Sequence, residues 1–221
     1  AFPGDHVKVV AAAEARRDES SPHASWKELL QHLDQAFEFD RVVYLSNFLT
    51  PHTDTVGDIE LLRSVFRTCA GRRVQLLYVA GPAGAEGAAD AAGRTGKGII
   101  AHAANDLCRY YAAREGVQTK ILRVPFLYTA SAALEDPFLV PMFDACSTGS
   151  AALQGAQDAM FPLLCAEELS VLVRRIFDSW DGNFETLDVA DTFHHTVGEV
   201  GEALQALFPG LSVAYGESAG Y

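Results

Sequence analysis

Three short apolar runs, DRVVYLSNF (40–48), VQLLYVAG (74–81) and TKILRVPFLY (119–128), are separated by stretches with helical spacing, and this alternation restricts the fold more than any other feature. Each run is unbroken rather than alternating, as expected of parallel strands buried on both faces. An earlier run, VKVVAAA (7–13), reads as another strand. Between the runs lie WKELLQHLDQAF, with Ser25 as N-cap and Glu28 at capping-box distance, then DIELLRSVFRTCA, then a helix over about 98–114. Strand–helix–strand units join parallel strands by right-handed crossovers, which place helices on both sides of one sheet. The expected class is α/β, a Rossmann-like doubly wound parallel sheet with Val42, Val43, Leu76, Leu77, Ile121 and Leu122 in its core.

After Ser131 the rhythm breaks. The stretch LEDPFLVPMFDACSTGSAALQGAQD reads as loop, and PLLCAEELSVLVRRIFDSW as a helix with Leu169, Leu172, Val173 and Ile176 on one face. FETLDVAD reads as a further strand, and HTVGEVGEALQALFP as a last amphipathic helix opened by Thr196 with Glu199 three residues on. The small-residue stretch GPAGAEGAADAAGRTG is too poor in bulky groups to pack, and reads as loop. The 221 residues suit a single domain, with 1–130 forming sheet and helices and 131–221 packing on them.

A formal charge of −12 argues against nucleic acid as a general partner, and RRD at 16–18 and GRR at 71–73 read as solvated loop charges. No apolar run approaches the roughly 20 residues of a membrane span. Cys69, Cys108, Cys146 and Cys165 lack metal-site spacing and read as reduced thiols, Cys108 and Cys165 as small core residues. The expected compartment is the cytoplasm. The chain begins at Ala1, so an excised piece of a longer polypeptide, processing and trimming all remain open.

Several polar residues have structural readings. His194 and His195 are adjacent and diverge in either regular structure, so capping or turn roles fit better than a metal pair. Ser46 lacks the G-x-S-x-G surroundings of a hydrolase nucleophile. Glu167 and Glu168 precede a helical run and favour its dipole.

The succession DRVVYLSN, ELLRSVFRTC, VQLLYVAG and AHAANDLCRYYAAREGVQTKILRVPFLY resembles the extended short-chain dehydrogenase/reductases, the NAD(P)-dependent sugar epimerases, dehydratases and reductases. FPLLCAEELSVLVRRIF and FETLDVADTFHHTVGEVGEAL resemble that family's substrate-side segment, so the resemblance runs from about 7 to 208. It implies a glycine-rich turn after the first strand, with backbone N–H groups holding a pyrophosphate. No such turn occurs at a strand-to-helix junction; GPAGAEG (81–87) follows a later strand. By order, the family's first βαβ unit is missing, either deleted or outside this piece of chain.

The resemblance also implies a Tyr-x-x-x-Lys pair on the 98–114 helix. With Asp106 at the family's acidic position, Gly98 falls on the tyrosine and His102 on the lysine. Gly98 has no acid or base, and a histidine with an ordinary pKa of ~6.5 carries no permanent charge at neutral pH. The family's Ser/Thr falls at Ala80 or Gly81, without a hydroxyl. Tyr110 and Tyr111 lie too far along the helix to stand in for the phenol.

The resemblance places Arg123, Pro125 and Tyr128 at the border of a substrate cleft, and Ser46 and Asn47 complete a candidate ligand cleft. Apolar residues on the 98–114 helix spread over more than one stripe, and the resemblance implies that this helix and the one before it pack between subunits through 57–69 and 98–113, which marks Ile99, Ala103, Tyr110 and Tyr111 as a candidate interface. The first reading is a catalytically degenerate binding, scaffolding or regulatory domain that takes no cofactor and associates with itself or with another protein. The second is an NAD(P)-dependent enzyme whose nucleotide-binding segment lies elsewhere and whose His102 takes part in altered acid–base work. A module of a larger synthase or signalling protein is a third.

Overall fold

A computed structural model describes residues 39–45, 55–81, 96–128, 145–153, 156–161, 163–189 and 195–216. The expected strand at 7–13, the expected helix after Ser25, the loop after Gly81, Ser46, Asn47 and His194 lie outside these residues. Strands β1 (Arg41–Leu45), β2 (Gln75–Ala80), β3 (Gln118–Arg123) and β8 (Phe184–Asp188) form one sheet in the order β1-β2-β3-β8, with every pair parallel. Helices α1 (Thr55–Cys69) and α2 (Gly96–Arg114) connect the first three strands. Leu62 and Phe66 of α1 and Ala104, Cys108 and Tyr111 of α2 pack on Leu76, Tyr78 and Ile121. Helix α3 (Ala166–Asp178) covers the opposite face, where Leu169, Val173, Ile176 and Phe177 meet Leu77, Val79 and Leu122. The sheet is therefore doubly wound, and its central strands β2 and β3 are buried on both sides.

Strand β1 departs from the expected core. Val42 is partly buried, whereas Val43 is 43% and Leu45 65% exposed. Among the described residues β1 pairs only with β2, and α3 meets the face that carries Val43 and Leu45 at Arg41, whose guanidinium lies 5.4 Å from the Phe177 ring centroid and 3.9 Å from Asp178 Oδ1. Leu76, Leu77, Ile121 and Leu122 are buried as expected.

The expected strand 119–128 is two strands. β3 ends at Arg123, and β4 (Phe126–Tyr128) leaves the main sheet to pair with β7 (Leu163–Cys165). Pro125, which lacks a backbone N–H, sits at the break. The residues read as the start of the third helix are thus partly β7, and α3 opens at Ala166 with Glu167 and Glu168 in its first turn.

The stretch read as loop contains β5 (Ser150–Leu153), and β6 (Met160–Phe161) follows just after it. β5 pairs with β10 (Ser212–Tyr215), about sixty residues later, and β6 pairs antiparallel with β9 (His195–Thr196). SAAL has little intrinsic strand preference, so this pairing is set by tertiary contact rather than by local sequence. Helix α4 (Val197–Leu207) packs here, with Val197 and Leu204 against Ala151, Leu153 and Leu211. Its capping box is present: the Glu199 N–H donates to Thr196 Oγ1 at 3.1 Å, and the Thr196 N–H to Glu199 Oε2 at 2.9 Å.

Gly201 on α4 lies against the Tyr215 ring, and an added Cβ would overlap the phenol oxygen. Gly201→Ala is expected to lower stability by about 1–3 kcal/mol through overpacking. Urea unfolding of Gly201→Ala alone and with Tyr215→Phe checks this, because removal of the hydroxyl should recover part of the loss.

Lys120, in the centre of β3, is almost fully buried. Its Nζ donates to Glu185 Oε2 at 2.6 Å and to Asp181 Oδ1 at 2.9 Å, and it lies 5.4 Å from the Trp180 ring centroid. Burial pulls the pKa of the ammonium down, but the hydrogen bonds and charges of Glu185 and Asp181 more than reverse this and leave it raised. The same contact lowers the pKa of Asp181. The Lys120 contribution is therefore present below the ordinary lysine pKa and lost as pH rises through the raised folded value. The Asp181 contribution is present above the ordinary aspartate pKa and lost as pH falls through the lowered one. The cluster should hold between these limits. Glu185→Ala leaves the ammonium on one partner and should cost about 1–2 kcal/mol at pH 7, whereas Lys120→Met, which keeps the apolar stem, should stay within about 1 kcal/mol of wild type. Equal losses for the two variants in urea unfolding would contradict this assignment.

Candidate functional site

In an open parallel sheet the crevice at the carboxyl ends of the strands is where ligands bind. In this chain β2, β3 and β8 bring Ala80, Arg123 and Asp188 into one row, since Ala80 is the register partner of Arg123 and Arg123 that of Asp188. The row is held by backbone: the Val124 N–H donates to the Ala80 carbonyl at 2.9 Å, and the Val189 N–H to the Arg123 carbonyl at 3.0 Å. Ala80 is only 5% exposed, so this strand end presents a buried methyl where acid–base chemistry at a strand end would need a hydroxyl. Gly81, the other position aligned with the lost hydroxyl, is partly buried.

Arg123 Nη1 stands 3.6 Å from Asp188 Oδ1, which ties the ends of β3 and β8 together across the row. Pro125 is buried, and Tyr128 is 41% exposed at the end of β4. The structure thus brings Ala80, Arg123 and Asp188 together, with Tyr128 carried onto the β4–β7 pair instead.

On α2, Gly98 lies in the helix and His102 is exposed. The breadth of apolar surface on this helix is taken up largely within the chain. Ala104, Cys108, Tyr111 and Ala112 are buried, and Leu107 is partly buried against the same cluster. Tyr111 stacks on Phe66 with ring centroids 4.7 Å apart. Of the residues marked for an interface, Tyr111 belongs to this internal core, Ala103 is partly buried and Tyr110 is 53% exposed. The helix of Ile99 is described, but its side chain is not.

Two features had gone unread in the sequence. One is the Lys120–Glu185–Asp181 cluster, signalled only by a lysine inside the apolar run TKILR. The other is Cys165, read as a core residue but partly exposed as the residue capping α3, where its Sγ donates to Glu167 Oε2 at 2.6 Å. The α3 dipole alone had accounted for Glu167. Burial pushes the thiols of Cys69 and Cys108 up to about 12, so neither forms a thiolate near neutral pH. Among the described residues no group of three or more His, Cys, Asp and Glu side chains could hold a metal ion, and no helix is long and apolar enough to cross a membrane.

No protein-family profile matches the sequence, and no curated protein does. Solved structures do match. A UDP-N-acetylglucosamine 4-epimerase from Bacillus cereus superposes with a TM-score of 0.63 at 15% identity, over 87% of this chain and 70% of that one. A UDP-glucuronic acid 4-epimerase from Bacillus cereus, solved in complex with NAD, gives 0.66 at 11% identity, over 88% and 65%. A GDP-mannoheptose C4 reductase from Campylobacter jejuni, with NADP bound, gives 0.62 at 13%, over 88% and 75%.

The fold is Rossmann-like, similar to that of these epimerase and reductase structures. At these identities the likeness extends to the fold, and the chain spans about two-thirds to three-quarters of each matched structure.

Thiol chemistry separates the structural from the accessible cysteines. In the native protein a disulfide reagent such as dithionitrobenzoate should titrate Cys165 readily, with Cys69, Cys108 and Cys146 reacting only after denaturation. Rapid native modification of Cys108 would contradict its placement beneath α2.

Proposed function

We propose that this chain is a non-catalytic Rossmann-like domain that binds or scaffolds another protein. The observation that carries the reading is the buried methyl of Ala80 at the end of β2, in a chain whose α2 helix also carries Gly98 and His102 at the positions of the tyrosine and lysine. Proton exchange with a substrate needs a hydroxyl or phenol within hydrogen-bond reach of the reacting oxygen. A methyl, a glycine and an exposed imidazole do not assemble one. What persists is the packed scaffold: a sheet covered on both faces, and two helices with exposed outer residues among those described. No cofactor enters this reading.

The alternative is an NAD(P)-dependent epimerase, dehydratase or reductase whose nucleotide-binding segment lies outside the 221 residues. Two of the compared enzymes carry NAD or NADP, and each matched structure is longer than this chain, which favours that alternative. In that case His102 would have to act beside a cofactor held by another segment.

Isothermal titration of the purified chain with NAD+, NADH, NADP+ and NADPH separates the two readings. The expected result is no saturable heat at low micromolar protein and ligand. Stoichiometric binding at those concentrations would remove the non-catalytic reading and favour the enzyme.

A further inference from the structure

We draw no further inference here: the strongest candidate, the exposed Val43 and Leu45 patch on the α3 side of β1, carries nothing because nothing in the structure shows what covers it.

Discussion

Strands β2 and β3 have no solvent-facing side, and this double burial sets the terms for the rest of the described chain. A parallel strand in the middle of such a sheet needs apolar cover above and below. α1 and α2 supply it on one face through Phe66, Cys108 and Tyr111, and α3 on the other through Val173, Ile176 and Phe177. The one charged side chain buried among the described residues, Lys120, is accommodated because Glu185 on the neighbouring strand and Asp181 in the turn before it meet the ammonium where it would otherwise be unpaired. Among the described residues cover thins toward β1, where Val43 and Leu45 are exposed although their sequence resembles that of a buried strand.

The architecture was legible wherever one local signal dominated. Unbroken runs such as QLLYVA identified central strands, and the Thr196–Glu199 spacing identified the start of α4 with its reciprocal cap intact. Legibility failed where a partner distant in sequence decided the outcome. Ser150–Leu153 becomes a strand only because Ser212–Tyr215 lies beside it, and Phe126–Tyr128 changes sheets because Leu163–Cys165 offers a second pairing surface after Pro125. That β1 pairs on one side only among the described residues is likewise not signalled by its own sequence, so Val43 could not be told from Leu77.

The candidate site was legible in part. Its chemistry follows in part from residue identity, since the side chains of alanine and glycine carry no proton-transfer group wherever they lie. Its geometry does not. The tie between Arg123 and Asp188 depends on the register of β3 and β8, and the inward turn of Tyr111 depends on the stack with Phe66. The wide apolar surface of α2, taken from the sequence as a contact with another subunit, is in large part the floor and flank of the chain's own core. What α2 leaves exposed beyond residue 101 is narrower and mixed in charge: His102, Asp106, Arg109, Tyr110, Ala113 and Arg114. Function on such a scaffold depends on the groups placed at its sites and not on the fold itself.

The central claim is that this Rossmann-like scaffold persists without a dinucleotide of its own. The most direct measurement is mass spectrometry of the small molecules released when protein purified under native conditions is denatured. The account predicts no NAD(H) or NADP(H) above the level of a control protein of equal mass. A dinucleotide released in stoichiometric amount would contradict it.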